Sequence, residues 1–97
     1  MRFEWDPNKN EINKEKHDLS FEEATELLEV GTDYIEIYDE EHSGDEDRFI
    51  AIGPIRMGVI VVIYTERQDD VVRIISTRKA TKSEAKLFRE YSGETDE

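Results

Sequence analysis

Two runs of β-branched residues dominate the hydrophobic pattern of this chain. Val59–Thr65 and Val71–Thr77 are separated by the polar segment Glu66–Asp70. Runs of this kind, bounded by polar turn-forming residues, predict two antiparallel strands joined by a short connection. The first run is apolar at successive positions, so it predicts a central strand that is covered on both faces. The polar residues at the ends of such a rigid strand pair are well placed for function.

The residues before these runs predict one short strand and two helices. Met1–Trp5 alternates apolar and charged residues, which is typical of an edge strand. Asp6, followed by proline, predicts the start of a helix that runs to about His17. Ser20 and Glu23 form a capping-box pattern, and apolar residues follow at helical spacing. The second helix is therefore expected to bury one face on the core.

Two further strands and a C-terminal helix complete the predicted fold. Weaker alternation predicts strands at Tyr34–Tyr38 and Arg48–Ile52, separated by a highly charged loop. Pro54 is expected to stop the pairing of the second of these strands. Thr81 begins another capping box and so predicts the last helix. The fold class is therefore α+β, with an N-terminal strand, two helices, an antiparallel four-stranded meander and a C-terminal helix.

Length and composition limit what this chain can be. A chain of 97 residues makes one domain, which we assign to residues 1–91. Residues 92–97 have no apolar side chain and are predicted to form a disordered acidic tail. Without cysteine the chain has no disulfide and no thiolate metal site. The longest apolar run is far shorter than the ~20 residues of a membrane span, and nothing near Met1 resembles a signal peptide, so we expect a cytoplasmic protein.

The formal net charge of −12 is unevenly distributed along the chain. Residues 1–47 hold 4 basic and 17 acidic residues, a balance of −13, and residues 92–97 add −3. Residues 48–91 hold 9 basic and 5 acidic residues, a balance of +4. The overall charge argues against broad nucleic-acid binding, which normally needs a basic surface. The local excess still predicts one basic face formed by the last strands and helix.

A set of short motifs extends over nearly the whole predicted domain. They are Phe3-Glu4-Trp5-Asp6 with Lys9 and Asn13, Lys16-His17, Phe21-Glu22-Glu23-Ala24, His42-Ser43, Glu46 before Arg48, Ile52-Gly53, Tyr64-Thr65-Glu66-Arg67, Arg73-Ile74-Ile75-Ser76-Thr77-Arg78, Ala80, Glu84 and Tyr91. No single motif is specific, but in this order and spacing the chain resembles the BrnT toxins of bacterial type II toxin–antitoxin systems. One departure is Asp18, which stands where family members usually have glycine.

This resemblance implies a RelE-like fold and a metal-independent ribonuclease that needs no cofactor and blocks translation. It also implies a BrnA-like antitoxin that neutralises the toxin and carries the DNA-binding domain, so that DNA is contacted only through the partner. The RNA substrate is either free or associated with the ribosome. An alternative is a catalytically weak module that mainly binds the antitoxin and acts in repression of its own operon.

Cleaving RNA without a metal requires a base for the 2′-hydroxyl, an acid for the leaving 5′-oxygen, and cations for the pentacovalent phosphate. Arginine suits the last role because its planar fork donates paired hydrogen bonds to phosphate. Arg67 and Arg78 end the two predicted central strands and match the family's YTxR and ISxR arginines. We therefore predict that both bind phosphate and stabilise the transition state. The alternative is that each forms a surface ion pair, Arg67 with Asp69 or Asp70.

Three further basic residues are weaker candidates. Arg48 and Lys79 lie at strand ends and are predicted to bind the RNA backbone. Arg78 is five positions after Arg73, so strict alternation puts them on opposite faces of the sheet unless the strand bulges. Arg73 is therefore predicted to be structural or to face the antitoxin.

His17 and Glu66 are the predicted proton-transfer groups. The pKa range of histidine suits either an acid or a base, although His17 is equally expected to interact with the carbonyls at a helix C-terminus. Glu66 shares a strand face with Tyr64, which is expected to be a core residue with a satisfied hydroxyl. His42 lies in the acidic loop, but its spacing is not that of a known ligand set, and no metal site is predicted.

Overall fold

A computed structural model describes residues 1–29 and 31–93 of the chain as three helices around a five-stranded sheet. Elements follow the chain in this order: β1 Arg2–Glu4, α1 Pro7–His17, α2 Phe21–Leu28, β2 Ile35–Tyr38, β3 Arg48–Ile55, β4 Gly58–Arg67, β5 Val71–Lys79 and α3 Lys82–Ser92. A short 3-10 turn, Gln68–Asp70, joins β4 to β5. The predicted helix starts are confirmed, because Asp6 caps α1 and complete capping boxes open α2 and α3.

The sheet has the strand order β1-β5-β4-β3-β2. Strands β2 to β5 pair antiparallel in chain order, and β1 joins β5 in parallel. The predicted four-stranded antiparallel meander therefore describes only part of a five-stranded mixed sheet. The central position predicted for Val59–Thr65 is confirmed, because β4 lies in the middle of the sheet.

Different helices cover the two faces of the sheet. On the face that we call the α2 face, α2 packs on the larger core, which includes Phe21, Leu27, Val62, Tyr64 and Ile74. On the opposite face, the α3 face, Phe88 of α3 packs against Ile52 and Val61. One helix of 11 residues is too narrow to cover five strands, since a helix with its side chains is ~10–12 Å across. Part of the α3 face is therefore left open.

A β-bulge interrupts the pairing of β4 with β5. Ile63 pairs with Ser76 while Tyr64 pairs with Ile74, so Ile75 is an extra residue on β5. An extra residue shifts the side-chain alternation by one position. Strict alternation would place a residue before Ile75 and a residue an odd number of positions later on opposite faces of the sheet. Because Ile75 is an extra residue, two such residues lie on the same face.

Helix α1 lies along the outer edge of β5. Strand β1 pairs only with residues 71–73, which leaves the backbone of the rest of β5 without a strand on that side. The buried side chain of Asn13 takes the place of a strand there. Its Nδ2 donates to the carbonyl of Thr77 at 2.8 Å, and its Oδ1 accepts from the N–H of Thr77 at 3.2 Å. The same amide also donates to the carbonyl of Leu19 at 2.9 Å.

Two elements, β3 and α3, extend further than predicted. Pro54 does not stop pairing: β3 continues to Ile55, and Pro54 pairs with Val59. This is tolerated because β2 ends its pairing at Ile52, so no strand on that side needs the missing N–H. Ser92 and Gly93, which are predicted to belong to the tail, form the last residue of α3 and its cap, and residues 94–97 lie outside the described residues.

Asp18 takes the backbone conformation for which glycine is usually used. It caps α1 in the left-handed region with φ 56° and donates its N–H to the carbonyl of Lys14. Aspartate tolerates this region better than most residues, so the turn between the helices keeps its geometry without glycine.

None of the helices within the described ranges has the length and apolar character that a membrane span requires.

Candidate functional site

Four arginines of β3, β4 and β5 lie on the α3 face of the sheet. Register places Arg48 and Arg73 on either side of Thr65, and places Arg78 beside Val61, whose side chain faces α3. Arg67 is two residues after Thr65 and shares its face. The prediction that Arg73 and Arg78 lie on opposite faces is wrong, because the bulge at Ile75 places both side chains on the α3 face.

Arg48, Thr65, Arg73 and Glu4 form one row across four neighbouring strands. Adjacent side chains in such a row have Cβ atoms ~5 Å apart. The side chain of Thr65 is fully buried within this row, and its Oγ1 has no hydrogen-bond partner among the described residues. A buried hydroxyl without a partner destabilises a fold by about 1–3 kcal/mol. We call Arg48, Arg67, Arg73 and Glu4 the arginine cluster.

Carboxylates hold two arginines of the cluster in place. Arg73 Nη1 donates to Glu4 Oε2 at 2.8 Å, and Arg67 Nε lies 3.8 Å from the same oxygen. Arg67 Nη2 also donates to Glu46 Oε2 at 3.1 Å. The alternative prediction for Arg67, an ion pair with Asp69 or Asp70, named the wrong partners. The aspartates are in the turn, whereas Glu4 and Glu46 reach Arg67 from β1 and from the acidic loop.

An open cavity of about 510 Å³ borders the cluster. Its lining residues are Glu4, Glu46, Glu66, Arg67, Gln68 and Val71. Its volume is within the ~300–1,000 Å³ range of small-ligand sites. Three glutamates line this cavity against one arginine, and the neighbouring Arg48 and Arg73 bring the site as a whole close to electrical neutrality. An anion that binds here must compete with carboxylates for the arginine donors.

Arg78 lies at the other end of the strand pair. Consecutive antiparallel strands run in opposite directions, so the end of β4 and the end of β5 are far apart. Arg67 and Val61, the partner of Arg78, are six residues apart on β4, which corresponds to ~20 Å. In the observed arrangement Arg67 and Arg78 are therefore too far apart to hold one phosphate.

Arg78 is bound by a carboxylate of α3. Its Nη1 and Nη2 donate to the two oxygens of Glu84 at 2.7 and 2.9 Å. This paired hydrogen bond, together with the backbone N–H of Thr81, lowers the pKa of Glu84 to about 2 from an ordinary value of 4.5. The pair joins the end of β5 to the first turn of α3.

We expect Glu84→Gln to lower the free energy of unfolding by about 1–2 kcal/mol at pH 7, since glutamine keeps the capping box but loses the charge. The pKa of Glu84 is lowered in the folded state, so its stabilisation is complete above pH 4.5 and is lost as the pH falls towards 2. Urea unfolding of both proteins between pH 2 and 7 measures this. A difference between the proteins that stays constant down to pH 2 would contradict the assignment.

His17 lies at the edge of the sheet rather than in the arginine cluster. It is the last residue of α1 and is exposed. It lines a depression of about 200 Å³ between α1 and β5. The other lining residues are Lys9, Ile12, Asn13, Lys16, Ile75 and Ser76. This depression brings His17 close to two lysines and to the bulge, and it forms a second, smaller basic site.

Glu66 and Lys79 alternate to the α2 face, since they pair with Val72 and Ile60. Glu66 is exposed at the strand end and still reaches the cavity beside Arg67. The expectation that Tyr64 is a core residue is confirmed: it is buried and its hydroxyl donates to Glu36. Burial and the adjacent Glu36 carboxylate both raise the pKa of Tyr64, so this phenol stays protonated at neutral pH.

His42 pairs with Asp39, from which its Nδ1 lies 3.0 Å. In the part of the chain that the structure describes, no three histidine, aspartate or glutamate side chains are grouped as ligands for a metal ion.

The sequence-based prediction missed Glu4 as a site residue and placed Arg73 elsewhere. The signal for Glu4 was present in the alternation of Arg2–Glu4, but only the parallel pairing of β1 with β5 brings this carboxylate to the arginines. The bulge that relocates Arg73 has no glycine or proline to mark it in the sequence. The positions of Glu4 and Arg73 in the site both depend on the pairing register of strands that are distant in sequence.

Comparison with known proteins identifies the family to which this chain belongs. A family model described as "Ribonuclease toxin, BrnT, of type II toxin-antitoxin system" matches residues 5–84. The chain belongs to the BrnT toxin family. Its fold is also similar to the crystal structure of the Brucella abortus ribonuclease toxin BrnT, with a TM-score of 0.65 and 25% sequence identity. The match covers 84% of this chain and 99% of the Brucella chain. A search of curated proteins found no significant match.

The resemblance to BrnT toxins inferred from the sequence is thereby confirmed. Membership of the BrnT family makes this chain the toxin of a type II system, which implies an antitoxin partner. In this BrnT toxin, the family match includes the arginines Arg48, Arg67, Arg73 and Arg78.

Proposed function

We propose that this BrnT-family toxin is a metal-independent endoribonuclease that cleaves RNA at the arginine cluster. The observation that carries the proposal is the row of Arg48, Thr65 and Arg73, with Arg67 beside it, on the part of the α3 face that helix α3 does not cover. Three guanidinium groups on rigid strands supply the positive charge that stabilises a pentacovalent phosphate. No lysine or metal ion has to provide that charge.

RNA bound at the cluster extends towards the other basic residues. Arg78 is ~20 Å from Arg67, a distance that several nucleotides span, so we propose that Arg78 binds a different phosphate from the one that is cleaved, while Lys79 lies on the opposite, α2 face. His17, with Lys9 and Lys16, contributes a basic depression along the edge of β5. In this proposal the scissile phosphate is bound by Arg48, Arg67 and Arg73.

Cleavage of cellular RNA in the cytoplasm would inhibit translation, in keeping with a RelE-like toxin. We propose that a BrnA-like antitoxin neutralises the activity and provides contact with DNA. The acidic first half of the chain, with a balance of −13 over residues 1–47, favours a partner with a basic surface, because opposite charges raise the association rate and specificity.

We expect the purified toxin to cleave a single-stranded RNA in the presence of EDTA at the same rate as without it. The physical reason is that arginines, rather than a bound cation, stabilise the transition state. Gel analysis of a labelled RNA over time measures the rate. Loss of cleavage in EDTA that is restored by adding a divalent metal would contradict metal independence.

The carboxylates around the cluster favour a second candidate function. Glu4 and Glu46 occupy donors of Arg73 and Arg67, which weakens RNA binding in the isolated chain. A catalytically weak module that mainly binds its antitoxin and assists repression fits this neutral site. Intact RNA after incubation with the toxin, combined with tight binding of the antitoxin encoded beside it, would favour this second function.

A further inference from the structure

We propose that Glu4 is the general base of RNA cleavage in this toxin. The inference rests on the proposed ribonuclease function and assigns a role to a carboxylate that sequence reasoning did not select. Glu4 Oε2 accepts a hydrogen bond from Arg73 at 2.8 Å and lies 3.8 Å from Arg67 Nε. A phosphate that these two arginines bind therefore lies next to this carboxylate.

The carboxylate of Glu4 is accessible to a substrate. Its side chain is 42% exposed and lines the open cavity of about 510 Å³ beside Arg67. Both arginine contacts involve Oε2. Among the described residues, Oε1 has no ion-pair or hydrogen-bond partner and is available to accept a proton. A general base needs an acceptor atom within hydrogen-bond reach of the proton that it removes, and this position provides one.

Glu4 is also better placed than the other carboxylates near the cluster. It ends β1, where its pairing with Arg73 fixes the backbone to the neighbouring strand. Glu46 reaches Arg67 from the acidic loop, and Glu66 alternates to the α2 face. Catalytic groups on strands keep their geometry better than groups on loops. His17 lies at the edge of β5 and not in this cavity.

The proposed step is transesterification within the RNA chain. Glu4 takes the proton of the 2′-hydroxyl, and the 2′-oxygen forms a bond with the adjacent phosphorus. The bond between phosphorus and the 5′-oxygen breaks, and the leaving oxygen takes a proton from water. The products are a 2′,3′-cyclic phosphate and a 5′-hydroxyl, and Glu4 returns its proton to solvent. Arg67 and Arg73 stabilise the charge on the phosphoryl oxygens during the step.

We expect Glu4→Gln to lower the single-turnover cleavage rate by about 100-fold or more, the usual contribution of a general base. The dissociation constant for an RNA with a 2′-deoxy group at the cleaved position is expected to stay the same or to fall, because glutamine removes a negative charge beside the phosphate. The wild-type rate should decline at acid pH as one proton binds, and this decline should be absent in Glu4→Gln. The charged groups that line the cavity with Glu4 are Arg67, Glu46 and Glu66, and Arg73 donates to the Glu4 carboxylate from the neighbouring strand.

Glu26→Gln is the matched control. Glu26 on α2 pairs with Arg56 at 3.3 Å and its side chain is 35% exposed, so the variant also removes a carboxylate–arginine pair between two elements. We expect it to cleave RNA like the wild type. Should Glu4→Gln fail to give a cooperative thermal melt, Glu4→Asp replaces it. A catalytic role then predicts a slower rate that keeps its acid decline with unchanged RNA affinity, whereas a positioning role predicts a slower rate that is matched by weaker RNA binding.

Each outcome separates this inference from the proposed function. A wild-type toxin that cleaves RNA while Glu4→Gln cleaves at a similar rate overturns the role of Glu4 and leaves the ribonuclease function intact. The same holds if Glu66→Gln loses activity and Glu4→Gln does not, which would make Glu66 the base. If the wild-type toxin leaves RNA intact, the proposed function and the role of Glu4 are both overturned. A rate loss in Glu4→Gln that is matched by weaker RNA binding would show that Glu4 only positions the arginines.

Discussion

Replacement of Arg73 by glutamine is expected to lower the rate of RNA cleavage by about 100-fold, the usual cost of removing one preorganised donor to the charge that develops in a transition state. Arg73 is placed in the centre of the arginine cluster, between Thr65 on β4 and Glu4 on β1. Its guanidinium is held at 2.8 Å by Glu4, so little reorganisation is needed when phosphate arrives. Single-turnover cleavage of a labelled RNA measures the effect.

Arg56→Gln is the matched control for this prediction. Arg56 lies in the turn between β3 and β4, is 81% exposed and also pairs with a glutamate, so its loss removes the same charge far from the cluster. The control should retain wild-type cleavage and melting temperature. If Arg73→Gln is fully active while its melting temperature falls, Arg73 stabilises the contact between β1 and β5 and does not bind phosphate.

Replacement of Asn13 by alanine is expected to lower the free energy of unfolding by about 3 kcal/mol. The side chain is buried and makes three hydrogen bonds, two with the backbone of Thr77 and one with the carbonyl of Leu19. Its removal leaves the N–H and C=O of Thr77 without partners at a buried sheet edge, and each such group costs about 1–3 kcal/mol. Helix α1 would also lose its main polar attachment to β5.

Urea unfolding followed by circular dichroism measures the loss. Asn8→Ala is the control, because Asn8 lies in the first turn of the same helix and its side chain is exposed. The control is expected to change the stability by less than about 0.5 kcal/mol, as is usual for surface positions. An Asn13→Ala protein as stable as the control would mean that water or a shifted helix replaces the amide at the edge of β5.

Local signals in the sequence were sufficient to predict the helices and strands and to identify the family. Capping boxes at Ser20 and Thr81 act within one turn, and the β-branched run of β4 reflects burial on both faces, so neither depends on distant residues. The relative position of Arg67 and Arg78 could also have been inferred. In a hairpin the end of one strand lies beside the start of the next, which separates these two arginines by the length of the strands.

Other features of the candidate site could not be read from the sequence. The bulge at Ile75 depends on how nine residues of β5 pair with ten of β4, and it moves Arg73 to the face of Arg78. The parallel pairing of β1, three residues long, depends on contacts with β5 almost seventy residues later, and it brings Glu4 to the cluster. Such contacts are set by the packing of the whole sheet rather than by local propensity.

The sequence by itself therefore determined the kind of fold, the central strand, the helix starts and the BrnT family, because these follow from hydrophobic period, capping and motif order. Only the tertiary structure decided which charged residues share a site. Arg48, Arg67, Arg73 and Glu4 come from four segments of the chain, and strand register with one extra residue places them together. Side-chain direction reverses with each residue along a strand, so a shift of one position decides which face carries the chemistry.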